Sequence, residues 1–209
     1  MAIAIDIALA VAATLLMMRV HLPAMLHQVA GIAFGVLIGV HLWQHRMWLG
    51  ALIRGKLKGR HIVSAIGMVA ILICAIALIA SGLVMSTWAT SLGIAAGTGS
   101  ARALHLPLSH LLYCLIGAHA GLCMKGTRHL PRPALIAWVL AAGAGIWSFV
   151  ALDFAGCITG ATAFAFVDPS KPAALYFIQY ASVFALFALA GSAAGLLPPQ
   201  KGGRRGHSS

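Results

Sequence analysis

Six stretches of this chain, at about 3–19, 27–44, 62–85, 104–124, 134–152 and 173–197, stay apolar for roughly 17–25 residues. That is the length an α-helix needs to cross the hydrocarbon core of a bilayer. Backbone amides and carbonyls in lipid find no water, so each run must satisfy its own polar groups and is expected as helix. The 209 residues are 61% hydrophobic and 8% charged, whereas a soluble domain carries about 25% charged residues. The expected fold is therefore all-α, an integral membrane protein of six transmembrane helices. The first run is interrupted by Asp6. It lacks the basic start of a signal peptide and is read as an uncleaved helix.

The charges report orientation. Fourteen Lys and Arg face only three acids, Asp6, Asp153 and Asp168. A nucleic-acid surface would gather its basic residues on one soluble face, but here they occupy short connections. Arg46, Arg54, Lys56, Lys58 and Arg60 follow the second run. Lys125, Arg128 and Arg132 follow the fourth, and Lys201, Arg204 and Arg205 lie in the tail. Basic loops stay cytoplasmic, so both termini are expected inside, in the cytoplasmic membrane. Arg19, Arg102 and Lys171 then fall on the outer side. Residues 1–197 read as a single membrane domain, and 198–209 as a disordered cytoplasmic tail without apolar content. Trp43 and Trp48 near the inner boundary and Trp88 near the outer one suit interfacial anchors. Pro131, Pro133, Pro169 and Pro172 mark loop-to-helix junctions, and Pro198–Pro199 ends the last run.

Function is written in histidine. HQVAGIAFGVLIGVH and HLPLSHLLYCLIGAH each begin and end with His: His27 and His41 in one, His105 and His119 in the other. A separation of fourteen returns to within about 40° of the same helix face, about 21 Å further along. Both runs cross from outside to inside, so His27 and His105 share an outer level and His41 and His119 an inner one. Two imidazoles per level suit the axial positions of haem iron, and the expected fold becomes a haem-binding four-helix bundle. Two b-type haems are expected, with those four histidines as axial ligands and no catalytic residue. Zinc or copper fits less well, because two imidazoles leave such an ion short of its usual ligand set. No C-x-x-C-H attaches haem covalently.

His105 carries the weaker claim, because Pro107 suggests that the helix only begins there. His110 and His21 compete for the outer position. His45, His61, His129 and His207 lie in basic segments and read as solvated. Gly31, Gly35 and Gly39 line one stripe, equally suited to close helix packing and to a porphyrin face. Phe34 and Leu112 stand midway between the two histidines of their runs. Cys74, Cys114 and Cys123 read as small hydrophobes and Cys157 as a loop residue. Arg19 and Arg102 flank the outer histidines, and Arg46 and Lys125 the inner ones. Topology alone explains them equally well.

The block HQVAGIAFGVLIGVHLWQHRMWL, with His27, His41 and the run Trp43, His45, Arg46 and Trp48, resembles the opening of the flavinylation-associated cytochromes. The stretch AFAFVDPSKPAALYFIQYASVFALF, residues 163–187, resembles the last loop and helix of that group. About half the chain is covered, and bis-histidine spacing is shared by many membrane cytochromes b. The resemblance implies a transmembrane electron conduit beside exported proteins that carry covalent flavin. No dinucleotide fingerprint occurs here, so flavin is expected only on a separate partner. The expected activity is electron transfer from a quinol or a cytoplasmic reductase to an extracytoplasmic flavoprotein or other redox subunit, rather than stand-alone enzymatic turnover. Membrane lipid is the surrounding solvent, quinone a candidate donor, and nucleic acid is not a partner. The competing expectation is a haem-free transporter whose intramembrane histidines move protons or metal ions. Against it, the repeated segments run in the same direction.

Overall fold

A computed structural model describes residues 2–47, 50, 60–93, 98–124, 131–164, 168 and 170–194. Trp48, His129, His207, Pro169, the basic residues within 51–59 and 125–130, and the tail 198–209 lie outside the described residues, as does the side chain of His61. Among the described residues, eight α-helices follow in order: α1 (Ala2–Met17), α2 (Ala24–Gln44), α3 (Arg60–Val84), α4 (Thr87–Ser91), α5 (Thr98–Cys123), α6 (Arg132–Ala151), α7 (Phe154–Thr159) and α8 (Ala173–Ala194). A 3₁₀ turn, Arg19–His21, leads from α1 toward α2. No strand occurs among the described residues.

Five helices, α2, α3, α5, α6 and α8, are long and apolar enough to cross a membrane. The first apolar run forms α1, which is shorter at 16 residues, about 24 Å at 1.5 Å per residue. Each long helix turns large apolar side chains outward: Val36 on α2, Ile66 on α3, Leu104 on α5, Trp147 on α6 and Ile178 on α8 are all at least 58% exposed. In water such a surface would drive association, whereas hydrocarbon solvates it.

Four helices close a ring. Helix α1 packs on α2, α2 on α3, α3 on α5, and α5 back on α1. The histidine-bearing α2 and α5 stand across the diagonal, with space between them. Helices α6 and α8 lie outside the ring, α8 packing on α5, α1 and α6. The α5–α8 contact depends on missing side chains. A methyl group on Gly121 would collide with the Ala188 carbonyl, and one on Gly191 with the Ala118 carbonyl. Gly145 meets the Ser182 carbonyl in the same way where α6 crosses α8. Small residues are the means by which lipid-embedded helices approach closely. The glycine stripe of α2 does not serve this purpose: Gly31 and Gly39 have nothing within 4 Å of a Cβ position, and only Gly35 meets a neighbour, Ile79.

Tyr113 ties the two parts together. Its hydroxyl donates to the Tyr180 carbonyl at 2.8 Å and lies 3.0 Å from Thr14 Oγ1, so one buried phenol links α5, α8 and α1. Phe154, fully buried, seals the same core from α7. Asp153 starts that short helix with φ 48°, accepting from Gly156 N at 3.1 Å and from Thr162 Oγ1 at 2.5 Å. Cys157 therefore sits within a helix and is fully buried, not in a loop as its flanking sequence suggests.

Candidate functional site

Helix α5 begins at Thr98, seven residues before His105, so Pro107 is internal and does not mark the helix start. A proline inside a spanning helix is tolerated when neighbouring groups take up the disturbed backbone. Ser109 Oγ donates at 2.8 Å to the carbonyl of Leu106, one residue before the proline, and His110 Nδ1 lies 2.9 Å from the same oxygen. His105 thus belongs to regular helix, in register with His119.

At the outer end of the ring, His27 and His105 face one another with ring centroids 6.4 Å apart. Two imidazoles bound to opposite sides of one metal ion, each through a bond of about 2.0 Å, hold their centroids about 6 Å apart. Both rings line a cavity of about 490 Å³, within the range of about 300–1,000 Å³ typical of small-molecule and cofactor sites. Its walls come from all four ring helices: Leu16 and Met17 of α1, Gly31 and Phe34 of α2, Ile79 of α3, and Leu112 of α5. Phe34 and Leu112 are buried apolar wall rather than exposed surface. Arg19 and Arg102 line the same cavity, Arg19 also donating to the Leu22 carbonyl at 2.9 Å and Arg102 lying over the Phe164 ring at 5.8 Å.

The outer imidazoles are held unequally. His105 Nδ1 lies 3.0 Å from Ser81 Oγ, and that hydroxyl donates onward to the Leu78 carbonyl at 2.9 Å. With its proton committed, Ser81 accepts from His105 Nδ1–H, which leaves Nε2 as the nitrogen with a free lone pair. His27 Nδ1 is buried without a hydrogen-bond partner. His110 also borders the cavity, but its ring is 3% exposed and packs edge-on against Phe154 at 4.8 Å. The His21 ring lies tilted against that of Tyr176, centroids 5.1 Å apart.

The inner end is built differently. His41 Nδ1 is 2.9 Å from Asp6 Oδ1, contributed by α1. The His45 ring lies 4.7 Å from that of His41. One ligand atom from each of Asp6, His41 and His45 falls within 4.8 Å of the others, compact enough to surround a single cation. His45, expected merely to be solvated, is part of this group. His119 interacts electrostatically with Asp6, His41 and His45, so the inner histidines share one neighbourhood. No ring contact like that of His27 with His105 links His41 and His119 among the described residues. Cys123 Sγ instead lies 3.6 Å from His119 Nε2, and Cys123 is exposed rather than packed as a small hydrophobe. Arg46 lies over the Trp43 ring at 5.1 Å.

Sequence reasoning passed over Asp6 and Ser81. The signal in Asp6 was its cost, since a carboxylate in an apolar run requires a partner. Ser81 carried no such signal. In the connection before α8, hydrogen bonds from Ser170 Oγ and N, at 2.6 and 3.0 Å, hold the Asp168 carboxyl below its usual range. Comparison with protein-family models, curated proteins and solved structures yields no match.

Proposed function

We propose that the protein is a six-span membrane cytochrome, carrying electrons between the two faces of the cytoplasmic membrane through two b-type haems. The outer haem is held by His27 and His105 and the inner by His41 and His119. One observation supports this reading above the others: His27 and His105 come from helices on a diagonal, face across a haem-scale cavity, and stand at the separation that a bis-imidazole metal site requires. The residues fit the group. Apolar walls suit a porphyrin face, Gly31 leaves room for close approach, and Arg19 and Arg102 offer cations to carboxylates at the same cavity. Bound haem supplies reversible one-electron chemistry at iron, with no bond made or broken in the protein. The chain's own part is to ligate, to fix ring tautomers through Ser81 and Asp6, and to exclude water.

Helix α1 supports the sixth crossing. Asp6 meets the inner histidine, Thr14 the central tyrosine, and Met17 the outer cavity. The helix therefore runs past both levels. With six crossings, the basic loops lie on the cytoplasmic face together with both termini. A quinol or a cytoplasmic reductase would deliver the electron, and an extracytoplasmic flavoprotein or other redox subunit would accept it, any flavin residing there.

The purified protein is expected to be red, with a pyridine haemochrome assay giving two haems per polypeptide. A colourless protein from haem-replete cells overturns the proposal. The Asp6–His41–His45 group favours a second reading, a haem-free carrier of protons or divalent metal. That reading predicts a colourless protein that binds zinc and loses binding on His45→Ala. A haem protein should keep its colour in that variant.

A further inference from the structure

At each level one histidine has its Nδ1 hydrogen-bonded to a residue of a neighbouring ring helix, but the charge behind that ring differs. At the inner level the acceptor of the His41 Nδ1 hydrogen bond is a carboxylate, Asp6 Oδ1, at 2.9 Å. An ionised carboxylate only accepts, so the ring must donate from Nδ1, and Nε2 keeps the lone pair that a metal takes. At the outer level the corresponding acceptor is the neutral Ser81 hydroxyl, 3.0 Å from His105 Nδ1. Both ligands are held in the Nε2-ligating tautomer by a residue on a neighbouring ring helix, Asp6 from α1 and Ser81 from α3. What distinguishes them is a full negative charge.

A carboxylate behind a metal-bound imidazole draws its Nδ1 proton away and makes the ring a stronger electron donor. Strong donation stabilises the oxidised, more positive metal, and nearby negative charge acts in the same sense. The outer cavity has the opposite electrostatic setting, with Arg19 and Arg102 on its walls and no acid among its lining residues. The nearby cation Arg46 is engaged with the Trp43 ring.

Resting on the two-haem reading, we infer that Asp6 is the positioning residue of the inner site, presenting His41 Nε2 to iron and setting the inner couple at a lower midpoint potential than the outer couple governed by Ser81. The gradient makes one-electron transfer from the inner to the outer level downhill. With haem bound at both levels, the inner iron would lose the electron that the outer iron gains, and no further reactant would be required.

Spectroelectrochemical titration of the purified, haem-loaded protein tests this. Two one-electron components are expected, and His41→Ala should remove the lower one. Asp6→Asn keeps the shape and removes the charge. It should leave the outer component in place and raise the lower one by at least a tenfold change in its redox equilibrium, about 59 mV for one electron. Asp6→Glu should return it toward the original value, which a purely structural role for Asp6 would not produce. A coloured protein in which His41→Ala removes the higher component overturns the inference and leaves the two-haem reading intact. So does an Asp6→Asn variant that binds both haems with unmoved potentials. A colourless native protein overturns both.

Discussion

The outer and inner histidine levels begin from one sequence pattern and end as different sites. At the outer level, His27 and His105 are separated by a cavity, backed by a hydroxyl and accompanied by two arginines. At the inner level, His41 is drawn against a carboxylate and a second histidine, and His119 touches a thiol instead of facing His41 ring to ring. Equal spacing along two helices thus sets equal depths but not equal surroundings. The acceptors behind His41 and His105 come from α1 and α3, which carry no part of the repeat. Histidine spacing locates the candidate sites, while the partners behind the rings give each one its own surroundings.

The largest expected effects separate the levels completely. On the two-haem proposal, replacing His27 or His105 by Ala should remove one haem and spare the inner one, whereas His41→Ala or His119→Ala should do the reverse. Haem content per polypeptide and the visible spectrum measure both outcomes. Equal loss of both haems from every variant would show that the levels are not independent.

Filling the outer cavity comes next. Gly31 has open space at its Cβ position and borders the cavity. Gly31→Leu should therefore fold normally and strongly reduce outer haem occupancy, with the inner component retained in redox titrations. Normal occupancy of both sites would separate the cavity from haem binding.

Ser81→Ala leaves His105 Nδ1 without its acceptor. An outer-shell partner of this kind typically contributes about 10–100-fold in metal affinity. The loss should appear in haem-dissociation rates from the outer site alone. An equal loss at the inner site would mean that Ser81 acts by supporting the bundle.

The smallest effect should fall on both levels alike. Tyr113→Phe removes the hydroxyl that links α5, α8 and α1, and leaves the Tyr180 carbonyl short of a donor. A buried bond of this kind contributes about 1 kcal/mol. Thermal denaturation in detergent should show a modest decrease with unchanged haem stoichiometry. A selective effect on one haem would place the tyrosine in that site instead of in the frame.

Much of the architecture was written locally. The six apolar runs became helices α1, α2, α3, α5, α6 and α8 with ends shifted by up to six residues, the largest shift at the start of α5, because length and hydropathy are properties of a single segment. Four histidines at fourteen-residue spacing identified two helices and two depths for the same reason: helical periodicity places residues on a face without knowledge of neighbours. Pro107 misled because the local rule reads proline as a helix start, whereas α5 continues through it. The glycines of α2 misled in another way. Their spacing resembles a packing stripe, yet the tight contacts fall at Gly121, Gly145 and Gly191.

What sequence alone determined about this protein was a lipid-compatible set of helices and the histidine pattern within it. Tertiary structure decided that α2 and α5 stand across a diagonal, that space remains at the outer level, and that Asp6 and Ser81 stand behind His41 and His105. The reason is physical. A helix is specified by neighbours three or four residues away, but a site is assembled by packing, and Asp6 meets His41 across 35 residues of chain. Contacts of that range depend on which faces small residues and bulky ones allow to meet, and no single segment contains that information.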